Sequence, residues 1–133
     1  MTFLDGKLPS WLKYNKFYNV DFANMTSEDT ILESDNGCRT EVPAEEANCI
    51  SSVFSEGDNM RFHRPAIDLD MEAHLVPSRT PGHYHLYLDN TMYHEDYVAL
   101  IEALVIAGIV NKGVIARLEK DGATFLRLPG VTE

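Results

Sequence analysis

The sequence predicts an α+β fold: a single domain over residues 1–133, with a small mixed or antiparallel sheet, one main helix over 94–110 and an aromatic-rich N-terminal arm. Three observations predict it. Residues 83–89 alternate, with His83, His85, Tyr87 and Asp89 on one side and Tyr84, Leu86 and Leu88 on the other, the period of a half-buried strand. From His94 the period changes, and Tyr97, Leu100, Ile101, Leu104, Val105 and Gly108 recur at helical spacing. The length of 133 residues, with 44% hydrophobic and 24% charged, suffices for one ordinary core without disulfide or metal staples.

The other elements follow in chain order. Residues 1–25 hold Phe3, Trp11, Tyr14, Phe17, Tyr18 and Phe22 at a spacing neither helical nor alternating, which predicts a short helix or an arm packed on the body. Residues 29–34 read as a strand, DNG at 35–37 as a turn and 38–42 as the returning strand of a hairpin. After Pro43, AEEANCISSVF fits one or two helical turns with Ala44, Ala47 and Ile50 on one face, ended by EGDN at 56–59. Residues 61–71 read as a buried strand with Ile67 and Leu69 on one face and Asp68 and Asp70 on the other. SRTPG at 78–82 is a turn. Residues 114–118 fit a strand or a helical turn, DG at 121–122 is a turn, and 123–128 reads as a strand.

Charge narrows the function. A net charge of −10, from 11 basic and 21 acidic residues, argues against a protein that coats nucleic acid, because that affinity rests on Lys and Arg contacts to phosphates. The imbalance lies mostly in the first sixty residues. Later in the chain Arg79, Lys112, Arg117, Lys120 and Arg127 can form a local basic patch. No apolar run reaches membrane-spanning length; the longest, 98–110, is interrupted by Glu102 and Gly108. The N-terminus lacks a charged segment followed by an apolar stretch, so no secretion signal and no membrane partner are expected. Cys38 and Cys49 are then expected as reduced thiols in the cytoplasm, and no Cys–His motif marks either as a nucleophile.

The chemistry concentrates around residues 64–90, with all five histidines in or beside them: His63, His74, His83, His85 and His94. Asp68 and Asp70, two apart on a strand, point their carboxylates to one face. Like charges there repel unless a cation, an arginine or protons relieve them. Two oxygen ligands suit Mg²⁺ or Mn²⁺ better than Zn²⁺. The bland alternative, that both acids sit on the solvated face of a half-buried strand, is the commoner use of such a pair. His83 and His85 share a face, which becomes the aspartate face if strands 64–71 and 83–89 are neighbours. Either can bind a phosphate, ligate a metal or shuttle protons. A zinc site of His83, His85 and an aspartate competes, without CxxC or HExxH spacing behind it; so does a plain polar face on an edge hairpin. His74 in a linker and His94 at a helix start read as surface residues. In SRTPG, the Ser78 and Thr80 hydroxyls beside Gly82 can present donors to a phosphate and Arg79 can fork onto it, although any turn between strands uses such residues.

The order of these motifs resembles the archaeo-eukaryotic primase superfamily, which includes the primase-polymerases of phages and plasmids. AIDLD at 66–70 is similar to its hydrophobic strand with Asp-x-Asp, SRTPGHYHLYL at 78–88 to its Ser-containing turn and Gly-x-His-hydrophobic-Tyr strand, and DGATFLRLPG at 121–130 to its third acid near Arg-Leu-Pro-Gly. The likeness covers the second half of the chain, with the first two motifs closer together than in that superfamily. It implies Asp68 and Asp70 as catalytic metal ligands and Asp121 as the third, with Asp89 as the alternative. It implies His85 as the contact to the nucleotide phosphate, with Ser78 beside it, and Arg127 as a phosphate or strand contact. Two divalent ions would activate a 3′-hydroxyl and stabilise the leaving pyrophosphate. The wording also resembles small proteins of actinobacteria and their phages. Two functions are therefore expected. One is a phage or bacterial accessory protein with a Mg²⁺ or Mn²⁺ and nucleotide site on a minimal primase-polymerase core, a nucleotidyltransferase if active, with Arg79 and His83 among its nucleotide contacts. The other is a non-enzymatic acidic module that meets a protein partner through its aromatic arm.

Overall fold

The computed structural model describes residues 9–23, 39–57 and 60–130. The fold is α+β, with three small antiparallel sheets and two helices among the described residues. The chain divides into two compact units, Met1–Asp68 and Leu69–Glu133.

In the first unit, β1 (Phe17–Val20) is the central strand of a three-stranded sheet, between β2 (Arg39–Glu41) and β3 (Cys49–Ile50). Part of the expected N-terminal arm is thus a strand. Tyr18 and Val20, two apart, bury to 4% and 2% exposure, but a four-residue alternation is hard to see among so many aromatic residues. Asn48 closes the end of this strand. Its side-chain oxygen accepts the Val20 N–H at 2.9 Å and its amide donates to the Val20 carbonyl at 3.0 Å, so one side chain stands in for a neighbouring backbone. β2 falls within the strand expected at 38–42; its expected partner at 29–34 and the DNG turn lie outside the described residues. Cys49 is half-buried, and burial pushes its thiol pKa up, which keeps it neutral and a poor nucleophile.

The helix expected after Pro43 is not formed. Only a single 3-10 turn, Ala44–Glu46, appears, and the chain is extended again at Ala47. Asn48 and Ser51 bond backbone groups, and Ile50 and Val53 are β-branched, so this stretch favours strands. β4 (Val53–Gly57) pairs with β5 (Met60–His63), and Val53, at 3% exposure, joins Tyr18 and Val20 in the core of this unit. The buried strand expected over 61–71 is also corrected. It ends at His63, residues 64–69 are irregular, and all of 61–70 are exposed. The Arg64 N–H still reaches the Ser52 carbonyl at 2.8 Å, but Pro65 has no N–H to continue the ladder.

In the second unit, β6 (Ala73–Pro77) pairs with β7 (Tyr84–Leu88), which is the strand expected at 83–89 shortened at both ends. Its partner is therefore 73–77 and not the 64–71 segment. α1 (His94–Ile106) starts where the periodicity places it, with Glu95 and Asp96 in the first turn, where the helix dipole favours acids. It stops before residue 110 because Gly108 takes φ 77°. The Gly108 N–H bonds the Val105 carbonyl at 3.0 Å and the Ile109 N–H the Leu104 carbonyl at 2.9 Å, a Schellman ending. α2 (Gly113–Asp121) settles the ambiguity at 114–118 in favour of a helix. It packs on α1 and buries Leu118 to 1%, with Ile101 of α1 at 7%. Residues 123–128, expected as a strand, have no ladder partner among the described residues.

Replacing Asn48 with alanine leaves the buried Val20 N–H and carbonyl without this partner. The expected loss is about 1–3 kcal/mol of stability, read as a lower midpoint in urea denaturation. Asn48→Asp, which keeps an acceptor but loses the donor, is expected to recover only part of it.

Candidate anion-binding groove

The turn between β6 and β7 is held by its own polar groups. The Ser78 N–H bonds the His83 carbonyl at 2.9 Å, and the His83 N–H bonds the Thr80 carbonyl at 3.0 Å. Ser78 Oγ accepts the Thr80 N–H at 3.2 Å and donates to the Thr80 carbonyl at 3.4 Å. Gly82, at φ 81°, supplies the left-handed residue that this closure needs. The Ser78 hydroxyl is thus engaged within the turn, and its effect is to hold Arg79 at the tip.

The facing wall comes from the run after α2. Gly122, at φ 73°, ends that helix and donates its N–H to the Leu118 carbonyl at 2.8 Å. The Tyr97 hydroxyl then meets Thr124 Oγ1 at 2.6 Å, a part-buried bond that ties the run to α1. Between turn and run lies an open groove of about 460 Å³. Ser78, Arg79, Thr80 and His85 line one side; Phe125 and Arg127 line the other with the Leu-Pro-Gly that follows. His85 is half-buried, with its ring edge-on to Tyr87 at 6.5 Å. Two permanently charged guanidiniums and an imidazole face this space, and among the described residues no carboxylate lines it. Such a donor set recognises phosphate or another oxyanion.

The structure therefore brings together Ser78, Arg79, His85 and Arg127, residues that lie up to 49 positions apart in the chain. It does not bring His83 to them; His83 closes the turn and stays outside the lining. Asp68 and Asp70 lie in an irregular exposed segment that bends at Asp70, so the strand that was to align their carboxylates is missing. Asp121 ends α2 and pairs with Arg117, Oδ2 to Nη1 at 3.4 Å. Asp89 follows β7, its N–H on the Glu72 carbonyl at 2.9 Å. Among the described residues no three His, Cys, Asp or Glu side chains are grouped to hold a metal ion, whether Mg²⁺, Mn²⁺ or the competing zinc. Of the arginines and lysines expected as a basic patch, Arg79 and Arg127 share the groove and Arg117 is occupied by Asp121.

Two other histidines have local partners: His63 Nδ1 lies 2.9 Å from Ser52 Oγ, and His74 Nε2 lies 3.2 Å from Glu72 Oε1. Phe125 in the groove wall escaped sequence reasoning. The sequence placed it only within the strand expected at 123–128. Of the arm residues, Trp11 is 69% exposed, and Phe17 opens β1.

No protein-family model matches the chain, and no curated protein or solved structure matches it. Among the described residues no helix is long and apolar enough to cross a membrane.

The Tyr97–Thr124 bond is the tie that sets the second wall. Tyr97→Phe leaves the Thr124 hydroxyl without this partner, and an expected cost of about 1 kcal/mol is read by thermal denaturation. Proteolysis is expected to cut the 123–130 run faster in this variant than in the parent.

Proposed function

We propose that this chain binds a phosphate-bearing ligand, a nucleotide or a short stretch of nucleic-acid backbone, in the groove between the 78–82 turn and the 123–130 run. One observation carries this reading. In a chain of 21 acidic and 11 basic residues, the described lining of the groove holds Arg79, Arg127 and His85 and, among the described residues, no carboxylate. Phosphate oxygens accept from Arg79 and Arg127, while His85 and the Thr80 hydroxyl supply further polar contacts. Phe125, 75% exposed in the same wall, offers an aromatic face on which a base can stack. The resemblance to the primase superfamily supports the same assignment for His85 and Arg127.

The geometry supports binding more directly than catalysis. Nucleotidyl transfer of the kind that the resemblance implies adds a requirement, a Mg²⁺ or Mn²⁺ ion at the bound phosphates. Binding at the groove stands without that step.

Calorimetric titration with pyrophosphate and with a nucleoside triphosphate, each with and without Mn²⁺, separates the two. Arg79→Gln and Arg127→Gln are each expected to weaken binding about tenfold, the scale of one charge-assisted hydrogen bond. Added salt is expected to weaken it further. A gain in affinity on adding Mn²⁺ is the result that the transferase extension requires. Binding that ignores both arginine substitutions sinks the groove assignment, and an absent Mn²⁺-dependent gain removes the transferase extension alone.

A further inference from the structure

The two walls of the groove differ in what they present. The turn brings Arg79 and Thr80, and the run after α2 brings Phe125 and Arg127. Phe125 and Arg127 are two residues apart, so their Cα atoms lie no more than about 7 Å apart whatever the backbone does between them. An aromatic ring and a guanidinium thus stand side by side on one wall, and both line the same space. The ring is 75% exposed and open to a ligand. A ligand that meets both groups carries an anion and a flat ring joined by a short link. A nucleoside 5′-phosphate has that form, with one sugar between phosphate and base.

The edge of a base is read by other side chains: Asn or Gln on adenine, Asp or Glu on cytosine, Arg on guanine. Among the described residues the lining holds no Asn, Gln, Asp or Glu. The Ser78 hydroxyl already donates and accepts within the turn. Arg79, Arg127, His85 and Thr80 are engaged by the phosphate in the reading proposed above. The face of the base is what remains for this wall to meet.

We infer that the groove selects nucleoside 5′-phosphates by the face of the base and not by its edge, and that Phe125 sets this selection. The inference rests on the anion-binding reading and adds the ligand class to it. Stacking accepts any base, because every base has a π-face, and its strength orders the bases. Adenine and guanine are therefore taken alike, and both ahead of the single-ring cytosine.

Calorimetric titration of the full chain without metal tests this, with pyrophosphate, ribose 5-phosphate and the 5′-monophosphates of adenosine, guanosine and cytidine. The two purine nucleotides are expected to bind within about threefold of one another and each about tenfold tighter than ribose 5-phosphate, the scale of one stacked base. The cytidine nucleotide is expected between them and ribose 5-phosphate. Phe125→Leu is expected to bring the tenfold ratio of adenosine monophosphate to ribose 5-phosphate down to about one, and Phe125→Trp to keep it. Arg79→Gln, which acts on the phosphate, is expected to weaken both ligands and keep their ratio. A 5′-phosphorylated oligodeoxyadenylate that binds as tightly as the mononucleotide extends the class to chain ends; weaker binding confines it to free nucleotides, and the role of Phe125 stands in both. A parent ratio near one overturns the inference. So does a ratio that Phe125→Leu leaves intact, or a more than tenfold preference between adenine and guanine. Pyrophosphate tells the two failures apart: a parent that binds it with a ratio near one loses only the assignment of Phe125, and a parent that does not bind it loses the groove reading and this inference together.

Discussion

The antiparallel register of β6 and β7 is the constraint on which the second unit depends. Because side chains alternate along a strand, pairing Val76 with His85 commits both to one face and sends Leu75 and Leu86 to the other. A slip of one residue would turn His85 away from Arg79 and put a leucine in its place. The register is set at the turn, where Ser78 closes on His83 and Gly82 takes the left-handed conformation. The hydroxyl of Ser78 thus matters through the geometry that it imposes on Arg79.

Electrostatics is what the proposed anion binding rests on. Acids dominate the chain, and four of those in the second unit have local roles. Asp121 neutralises Arg117, Glu72 faces His74, and Glu95 and Asp96 sit at the positive end of α1. Among the described residues, Arg79 and Arg127 line the groove with no acid beside them. A cationic groove on an acidic protein attracts a small anion that can enter, while the surrounding negative field discourages a long polyanion from lying across the surface. Under the proposed reading, the expected ligand is therefore a nucleotide or a chain end and not continuous duplex.

Local patterns told the truth where local physics decided the outcome. The helix start at His94, its stop near Gly108 and the alternation at 84–88 are all set within a few residues, and all were legible in the sequence. The strand over 61–71 was misread because Ile67 and Leu69 alternate correctly, although Pro65 interrupts the ladder and leaves them exposed. The helix after Pro43 was misread because Ala44, Ala47 and Ile50 mimic a helical stripe, while Asn48 serves β1 across 28 residues. For the candidate site, only the resemblance to the primase superfamily groups Ser78, His85 and Arg127. Their convergence depends on how α1 and α2 return the chain to the hairpin, which no short motif encodes. The pairing of Asp68 and Asp70 rested wholly on the misread strand.

The central claim is that the 78–82 turn, His85 and the 123–130 run form one anion site. Backbone chemical-shift mapping during titration with pyrophosphate tests it most directly, because it locates the ligand without assuming a function. The account predicts saturable shifts gathered at residues 78–80, 85 and 125–130, with the β4–β5 hairpin unmoved. Shifts confined to other residues, or none at saturating pyrophosphate, would contradict it.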